Sequence, residues 1–589
     1  MKLWEEIRRD WDLLSGVIGT YRAYGGISDT FPETVGDDLE KAADKFAGNV
    51  AFRFDGRSVT YAEFDKRANR VAHWARAQGL KKGDVVALFA LNQPDYVAIW
   101  MGLSKIGIVT ALINTNLVSA PLAHCINIAE CDHVIVDDPL AAAYATAETH
   151  LTRKPKRWLL RSELSAALET VSDQRPARDG LLGGALCLLV YTSGTTGAPK
   201  AARMPHWRVQ GMMRAFLAGA HAKASDRNYL CLPLYHSTGG LCAVGLMLER
   251  GGCVILRERF SATHFWRDIA EEGATVFFYV GEMCRYLLNQ APAAIETKHK
   301  LRLMVGNGLR PDVWAKFQER FRIPKVLEFY GSTEGNVNML NFDGKTGAIG
   351  RVPDWLRPVM NVRLVKFDVE TEAPVRNAEG LCIEADIGET GEAIGEIRHD
   401  QPRYQFEGYA HDKAQTAKKI LRDVFKKGDA WFRTGDLLRR DKDSYFYFVD
   451  RIGDTFRWKG ENVSTNEVAE RITAYPGVEE AIVYGVHIAS AEGRAGMAVL
   501  NVRDGFDLQG LRAHLYRELP AYARPVFIRL RQNIETTGTF KYRKVDLVNE
   551  GFDPSEVDDP LYFDDSTEQK FVPVTADLAA RIESGAVKL

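Results

Sequence analysis

A polar stretch at residues 191–200 constrains the fold of this chain more than any other feature. It contains several hydroxyl side chains, two glycines and a lysine, and it directly follows an apolar run at residues 185–190. We interpret the apolar run as a buried strand, which makes the polar stretch a loop at the carboxyl end of that strand. Glycines let a backbone approach a polyphosphate closely, while hydroxyls, amides and a lysine supply donors and positive charge. The stretch therefore predicts a nucleotide-binding loop, and the alternative is a polar surface turn.

The first third of the chain alternates between strand and helix patterns. Residues 84–90 and 106–113 form two apolar runs, and residues 93–105 between them carry helical periodicity. This order is typical of a βαβ unit, which implies a parallel sheet with right-handed crossovers. Residues 134–136 add a short strand. The fold class is therefore α/β, and ligands of such sheets bind beyond the carboxyl ends of the strands.

Length, charge and cysteine content indicate the number of domains, the kind of partner and the cellular compartment. A chain of 589 residues is too long for one hydrophobic core and predicts two or more domains. Its 76 basic and 78 acidic residues nearly cancel, which argues against a nucleic-acid partner. Eight scattered cysteines with no metal-type spacing indicate reduced, buried thiols. We expect a cytoplasmic protein without a membrane span.

The N-terminal residues show the spacing of an amphipathic helix. Leu3, Ile7, Trp11, Leu14 and Ile18 recur every three or four positions. Such a stripe most often docks on its own protein, and we favour that interpretation. The alternative is peripheral contact with the inner face of a membrane, although the mixed charges of the helix weaken the case for anionic lipid.

Two further apolar runs, at residues 302–305 and 326–329, end in polar loops. The loop residues are Gly306, Asn307 and Gly308 after the first run, and Tyr330, Gly331, Ser332, Thr333 and Glu334 after the second. We expect these loops and the first one to converge on one crevice. Other candidate segments are His236 in a Leu-Pro-Leu-Tyr-His string, Asp436 in Thr-Gly-Asp, and Arg451 in Asp-Arg.

Taken in this order, the motifs resemble those of the adenylate-forming superfamily of acyl-CoA synthetases, luciferases and peptide-synthetase adenylation domains. The resemblance implies a large N-terminal domain with parallel-rich sheets and a small mobile C-terminal α/β domain, which we assign to residues 1–452 and 453–589. It also implies ATP, Mg²⁺ and coenzyme A as ligands, and no nucleic acid. The implied ATP/AMP-binding residues are Thr192, Ser193, Gly194, Thr195, Thr196, Gly197, Lys200, Gly306, Asn307, Gly308, Tyr330, Gly331, Ser332, Thr333, Asp436 and Arg451.

The resemblance assigns roles within this set. The Gly306 loop would bind the adenine, on which Tyr330 would stack, and Asp436 and Arg451 would bind the ribose. Thr333 would contact phosphate and Glu334 would bind Mg²⁺, a cation that prefers oxygen ligands. His236 would border the carboxylate end of the acyl pocket. Together with Lys541 near the C-terminus, Thr333, Glu334 and His236 make up the implied catalytic set.

The C-terminal region carries the remaining motifs. The resemblance puts a hinge at Gly453 or Asp454, and coenzyme A binding at Arg457, Trp458, Lys459 and Gly460. The catalytic lysine would be Lys541, with Lys544 as the alternative because Phe540 replaces the usual glycine. Strands at residues 478–486, 496–503 and 526–530, and a helix at 508–519, would form the small domain.

Departures from the general pattern indicate a subfamily. Residues 279–289, 331–336, 538–542 and 559–563 resemble the fatty acid transport protein/very-long-chain acyl-CoA synthetase group. This resemblance implies an ATP-dependent long- or very-long-chain fatty acyl-CoA synthetase that works through acyl-AMP. The alternatives are a ligase for a bile-acid- or sterol-derived acid and a fatty-acid uptake protein. A homodimer is a further expectation, and acyl chain length cannot be read from the sequence.

Overall fold

The computed structural model describes residues 2–178, 180–192, 199–532, 534, 544–587 and 589. The chain divides into two compact units. The N-terminal unit comprises residues 1–309, 315–351 and 396–421, and the C-terminal unit comprises residues 310–314, 352–395 and 422–589. The domain boundary after residue 452 stays a prediction.

One sheet of the N-terminal unit contains the predicted βαβ unit. Strands Val85–Phe89 and Val109–Leu112 pair in parallel, and helix Pro94–Lys105 connects them, which confirms that prediction. The sheet has six strands among the described residues. In spatial order they are Lys156–Leu159, His133–Val136, Val85–Phe89, Val109–Leu112, Leu186–Thr192 and Lys200–Pro205.

A second sheet of the same unit carries two of the predicted loops. Its central strands pair in parallel, and both of its edges are antiparallel. In spatial order its strands are Met339–Leu340, Val326–Tyr330, Leu303–Asn307, Val276–Val280, Arg227–Leu230, Cys253–Leu256, Val50–Phe54 and Arg57–Thr60. Strands Leu303–Asn307 and Val326–Tyr330 are parallel neighbours, so the loops that follow them leave the same edge of the sheet.

Helices of the N-terminal unit pack closely against one another and against the sheets. Helix Tyr61–Ala77 begins with a capping box, in which the Thr60 hydroxyl accepts from the backbone N–H of Glu63 and the Glu63 carboxylate accepts from that of Thr60. It packs on helix Pro94–Lys105 at Gly102, where a Cβ would lie 2.3 Å from the Ala68 carbonyl oxygen. Other α-helices are Lys2–Tyr24, Val35–Phe46, Ser119–Ala129, Ala141–Ala147, Ser165–Leu168, His206–Arg214, Leu217–Ala220, Val244–Leu248, Phe265–Glu271, Gly281–Leu288 and Lys413–Lys418, while Pro311–Phe321 starts in the C-terminal unit.

The N-terminal helix, Lys2–Tyr24, docks through a different face from the one that we expected. Leu13 and Val17 are buried, and an added Cβ on Gly16 would overlap the Phe342 ring. Four residues of the predicted stripe instead face solvent: Trp11 is 68% exposed, and Ile7, Leu14 and Ile18 are also exposed, while the side chain of Leu3 lies outside the part that the structure describes. Trp4, at 77%, and Tyr21 are exposed at the same helical spacing, and with those four residues they form what we call the exposed stripe. The expectation that the stripe docks on its own protein is therefore wrong. Among the described residues, no helix is long and apolar enough to cross a bilayer.

The C-terminal unit contains two larger sheets. The first has the spatial order Tyr445–Arg451, Ala430–Arg440, Thr390–Glu396, Arg363–Asp368 and Ala373–Pro374. The second has the order Val478–His487, Arg494–Val502, Phe527–Leu530, Leu561–Asp565 and Lys570–Pro573, with helices Thr465–Thr473, Leu508–Glu518, Lys544–Glu550 and Ala576–Glu583. The strands and the helix predicted for this region are confirmed. Two further short strands, Gly350–Arg351 and Ile420–Arg422, begin in the N-terminal unit.

The cysteines agree with the expectation of buried thiols. All eight are described, free and buried. Burial raises the pKa of the Cys125 thiol to about 12, so it is protonated at neutral pH. These side chains therefore serve as small apolar groups in the core.

Candidate functional site

The polar stretch that follows strand Leu186–Thr192 connects two antiparallel strands. Thr192 lies opposite Lys200, the first residue of strand Lys200–Pro205. The predicted nucleotide-binding residues between them, Ser193, Gly194, Thr195, Thr196 and Gly197, lie outside the described residues. The predicted strand is thus confirmed, and its antiparallel continuation was not foreseen.

Lys200 lies beside the side chains of two residues from the segment around residue 410. Its Nζ donates to Gln415 Oε1 at 2.9 Å and lies 5.5 Å from the centre of the Tyr409 ring. Burial lowers the pKa of Lys200, as does nearby Lys419, and the carboxylates of Asp412 and Glu334 oppose this effect. The lysine is half-buried next to an aromatic face.

Tyr409 also contacts the predicted metal ligand. Its hydroxyl donates to Glu334 Oε1 at 2.8 Å. The tyrosine is buried, and burial together with the neighbouring carboxylate raises its pKa above the ordinary value. Tyr409 therefore links Lys200, at the end of the first loop, to Glu334, in the loop after strand Val326–Tyr330. The sequence gives no local signal for this role of Tyr409, because a Gly-Tyr pair is common in proteins.

Thr333 is held from two sides. Its hydroxyl lies 3.1 Å from the Ser237 hydroxyl, and its carbonyl oxygen accepts from Arg208 Nε at 3.0 Å and Nη2 at 2.8 Å. Arg208 also donates to the Gly335 carbonyl oxygen. Burial lowers the pKa of this arginine, and Glu334 and Glu407 oppose that effect. Sequence analysis missed Arg208 and Ser237, whose contacts span about 100 residues or more of chain.

His236 precedes Ser237 in the chain. Its ring centre lies 4.7 Å from that of Tyr235, and its carbonyl oxygen accepts from Gly240 N at 2.7 Å. This backbone bond lies at the start of the helical segment Ser237–Ala243. His236 is thus adjacent in sequence to the hydroxyl that contacts Thr333.

The Gly306 loop is supported by a buried carboxyl group. A Cβ on Gly306 would lie 2.3 Å from the Tyr279 carbonyl oxygen, so this strand position needs glycine. Beyond Asn307 and Gly308, the Leu309 N–H donates to Glu328 Oε1 at 3.0 Å, and the Tyr279 hydroxyl donates to Glu328 Oε2. Burial raises the pKa of Glu328 to about 8.

The second loop begins at Tyr330, the half-buried last residue of its strand. An added Cβ on Gly331 would lie 2.6 Å from Asn338 Oδ1, and Ser332 Oγ accepts from Gly335 N at 3.1 Å. Contacts through Tyr409 and Ser237 therefore join this loop to the segments that carry Lys200 and His236, and Arg208 anchors its backbone.

Asp436 and Arg451 belong to the C-terminal unit, on neighbouring strands. They are directly opposed in the antiparallel pair, and Arg451 Nε lies 3.8 Å from Asp436 Oδ1. Sequence spacing separates these residues by 15 positions, and the hairpin brings them together. The pair can present a carboxylate and a guanidinium side by side.

The predicted hinge residues lie just beyond this hairpin. Gly453 has φ +95°, a conformation that residues with a Cβ rarely adopt, and it is exposed. Asp454 Oδ2 lies 3.2 Å from Lys544 Nζ, which also donates to the Thr465 hydroxyl at 2.8 Å. Lys541, the predicted catalytic lysine, lies outside the described residues.

The four residues predicted to bind coenzyme A form a β-hairpin. Arg457 and Trp458 end strand Phe456–Trp458, and exposed Lys459 and Gly460 make the turn with φ of +52° and +81°. Arg457 Nη1 lies 2.5 Å from Glu370 Oε2. Trp458 is buried in the core of the unit, so the exposed members of the predicted set are the turn residues Lys459 and Gly460.

Comparisons with known proteins identify the family. A model described as AMP-binding enzyme matches residues 39–409, and one described as AMP-binding enzyme C-terminal domain matches residues 467–541. The chain therefore belongs to the AMP-binding enzyme family, the adenylate-forming class that its motifs predicted. A solved structure of ATP-bound MatB from Rhodopseudomonas palustris shares the fold, with a TM-score of 0.74 and 24% identity over 88% of this chain and 99% of that one.

Curated relatives define the group within the family. The chain is 41% identical to long-chain fatty acid transport protein 6 of Mus musculus, over 91% of this chain and 88% of that protein. It is 42% identical to long-chain fatty acid transport protein 1 of Mus musculus, over 89% and 83%. It is thus a member of the fatty acid transport protein/very-long-chain acyl-CoA synthetase group, and its class is that of AMP-forming ligases that use ATP.

Proposed function

We propose that this protein is a long-chain fatty acyl-CoA synthetase that activates its substrate as acyl-AMP and then transfers the acyl group to coenzyme A. The observation that carries the proposal is the position of the Thr333–Glu334 loop, held by Arg208, Ser237 and Tyr409 beside Lys200. Similarity to the long-chain fatty acid transport proteins supports a fatty acid as the substrate.

In the first step, a carboxylate oxygen of the fatty acid attacks the α-phosphorus of ATP. A phosphorus–oxygen bond to the acid forms, the bond to the β-phosphate breaks, and pyrophosphate leaves. The acid is already an anion at neutral pH, so no general base is required. The barrier lies in bringing anions together, and fixed positive charge and donors lower it.

The residues of the N-terminal unit would share this task. The polar loop, from Thr192 through the stretch of Ser193, Gly194, Thr195, Thr196 and Gly197 to Lys200, would hold the β- and γ-phosphates. Thr333 would donate to the α-phosphate. The loop of Gly306, Asn307 and Gly308 would bind the adenine, against which Tyr330 would stack. His236 would border the acid's carboxylate.

Glu334 would hold the metal ion. Among the described residues, no group of three or more His, Cys, Asp or Glu side chains could form a metal site. A single carboxylate fits Mg²⁺, which takes few protein ligands and completes its shell with phosphate and water. When bound, Mg²⁺ supplies charge neutralisation at the phosphates.

The C-terminal unit would supply the ribose ligands Asp436 and Arg451, and Lys541 as the cation of the first step. In the second step the coenzyme A sulfur attacks the acyl carbon, AMP leaves and the thiol proton passes to solvent. We propose that the segment beyond Gly453 and Asp454 rotates between the steps, withdrawing Lys541. Arg457, Lys459 and Gly460 would then meet coenzyme A, with Trp458 supporting their hairpin.

The test is pyrophosphate release with ATP and Mg²⁺ across straight-chain acids from short to very long, and with cholate, each with and without coenzyme A. The proposal expects release that is greatest with a long-chain acid and a product with the mass of its acyl-CoA. Greatest release with cholate would favour the ligase for a bile-acid- or sterol-derived acid. Absence of release with every acid would contradict the proposal.

Fatty-acid uptake is the alternative of another class. Uptake by carriage can be distinguished from uptake by trapping, because thioester formation needs the catalytic lysine and carriage across a membrane does not. Loss of cellular fatty-acid accumulation in Lys541→Ala would support trapping. Retained accumulation would support carriage.

We also propose that the exposed stripe of helix Lys2–Tyr24 rests on a lipid surface at the inner face of the membrane. Trp4, Trp11 and Tyr21 are among the exposed side chains of this stripe. Tryptophan and tyrosine are favoured at the water–lipid boundary, and a fatty acid partitions into the same layer. Dimer formation through this stripe is the competing proposal, because its spacing also suits a helix–helix seam.

A further inference from the structure

Tyr409 lies between a cation and an anion of the site. Its hydroxyl donates to Glu334 Oε1 at 2.8 Å, and its ring centre lies 5.5 Å from Lys200 Nζ. Lys200 bonds Gln415 at 2.9 Å, and the lysine and Glu334 are not paired with each other. One buried side chain therefore contacts both charged groups.

The backbone of Tyr409 is anchored to the strand that follows the polar loop. Tyr409 forms an antiparallel bridge with Ala202, and the Ala410 N–H donates to the Ala201 carbonyl oxygen at 2.8 Å. The Tyr409 N–H donates to the Thr416 hydroxyl at 3.1 Å. Because these bonds fix the backbone and the side chain is only 6% exposed, the position of the hydroxyl is fixed as well.

The chemistry of a carboxylate explains what this contact can do. A carboxylate has about four lone-pair positions, and a hydroxyl donor occupies one of them while leaving the second oxygen for a cation. Without the tyrosine, the nearby ammonium of Lys200 could bond Glu334 directly. Such an ion pair would remove a ligand from a metal and a donor from a phosphate at the same time.

We infer that Tyr409 is a positioning residue, which orients the Glu334 carboxylate toward a metal–nucleotide complex and keeps Lys200 from pairing with it. This inference rests on the proposed function, since it requires that ATP and Mg²⁺ bind here. It assigns Tyr409 a role that acts through Glu334 and Lys200.

Calorimetric titration of the full-length chain with ATP tests this role, once with excess Mg²⁺ and once with EDTA. For Tyr409→Phe, which keeps the ring and loses the donor, we expect binding of Mg·ATP to weaken about tenfold, as for loss of a hydrogen bond to a charged group. Metal-free ATP should change less than about twofold, because the phenyl ring would still keep Lys200 from pairing with Glu334. For Tyr409→Leu, both forms of ATP should bind more weakly.

The matched control is Tyr447→Phe, which removes a hydroxyl that donates to Asp441 Oδ2 at 2.9 Å in the C-terminal unit. It should leave both titrations unchanged. Thermal unfolding of each variant checks that it is folded.

Suppose that the wild type binds ATP more tightly with Mg²⁺ than without it. If Tyr409→Phe then binds ATP as the wild type does, or loses the same affinity with and without Mg²⁺, this inference alone would be overturned. A wild-type chain that does not bind ATP in either form would overturn the proposed function, and this inference with it.

Discussion

Lys544 Nζ lies 3.2 Å from the carboxylate of Asp454, the residue that follows Gly453. The same ammonium donates to the Thr465 hydroxyl. Lys544 is therefore engaged at the predicted hinge, which favours Lys541 as the catalytic lysine. We predict that Lys541→Ala lowers pyrophosphate release about 100-fold or more, because a cation is lost from the phosphates. It should still convert supplied acyl-AMP to acyl-CoA.

The control for this prediction is Lys544→Ala, which should reduce both half-reactions only modestly by loosening the hinge. Equal loss of both half-reactions in Lys541→Ala would rule out the alternation of two active sites. Loss of adenylation in Lys544→Ala alone would reverse the assignment of the two lysines.

The buried carboxyl of Glu328 predicts a pH dependence of stability. Burial raises its pKa to about 8 from an ordinary 4.5, so the folded protein holds a proton that the unfolded chain releases between these values. Stability should fall as pH rises through this window. We predict that Glu328→Gln, which stays neutral, raises the melting temperature near pH 8 by about 2–4 °C.

Thermal unfolding of wild type and Glu328→Gln at about pH 5 and pH 8 measures this effect, and the two proteins should differ least at the acidic end. The amide can still accept from the Leu309 N–H. If the melting temperatures of Glu328→Gln and the wild type differ by the same amount at both pH values, this carboxyl does not titrate as described.

Asp450 should be a principal determinant of stability in the C-terminal unit. Its buried carboxylate accepts from Thr465 N at 2.6 Å, the Thr465 hydroxyl at 2.9 Å and Asn466 Nδ2 at 2.9 Å. We predict that Asp450→Ala lowers the free energy of unfolding by about 2–4 kcal/mol, because buried donors lose their acceptor. Urea unfolding measures this change in free energy. The control is Asp504→Ala, because Asp504 is exposed. An equal loss of unfolding free energy in both variants would contradict the explanation.

The exposed stripe of the N-terminal helix predicts binding to lipid. Replacing both Trp4 and Trp11 by serine should reduce co-sedimentation with phosphatidylcholine vesicles about tenfold or more, since two large apolar side chains no longer enter the interface. Trp355→Ser is the matched control, because Trp355 is an exposed tryptophan of the C-terminal unit.

Vesicle binding that is unaffected by the double substitution would contradict the lipid proposal. The stripe would instead be a self-association surface if the wild type is a dimer, the double substitution converts it to monomers, and neither protein binds vesicles.

The sequence was sufficient to predict most elements that carry the motifs. The apolar run at residues 84–90 became strand Val85–Phe89, and the periodic segment after it became helix Pro94–Lys105. These predictions succeed because burial imposes a pattern on nearby residues. For Asp436 and Arg451, only the motif resemblance assigned both to one ligand, and the hairpin that pairs them was not predicted.

Contacts between distant segments could not be predicted in this way. Tyr409 and Glu334 are 75 residues apart, and Arg208 and Thr333 are 125 residues apart. Neither tyrosine nor arginine carries a local signal for such a partner. The prediction of which face of the N-terminal helix is buried was wrong for another reason. The helix has a second face, formed by Leu13, Gly16 and Val17, and this face packs against the protein.

The central claim is that a fatty acid is activated as its adenylate, and the fate of the carboxylate oxygens tests it most directly. The acid would be labelled with heavy oxygen in its carboxylate and incubated with ATP, Mg²⁺ and coenzyme A, and all products weighed by mass spectrometry. Attack of the carboxylate on the α-phosphorus predicts AMP that carries one heavy oxygen atom for each acyl-CoA formed, and unlabelled pyrophosphate. Labelled inorganic phosphate with ADP as the nucleotide product, or acyl-CoA formed without label in AMP, would contradict the mechanism.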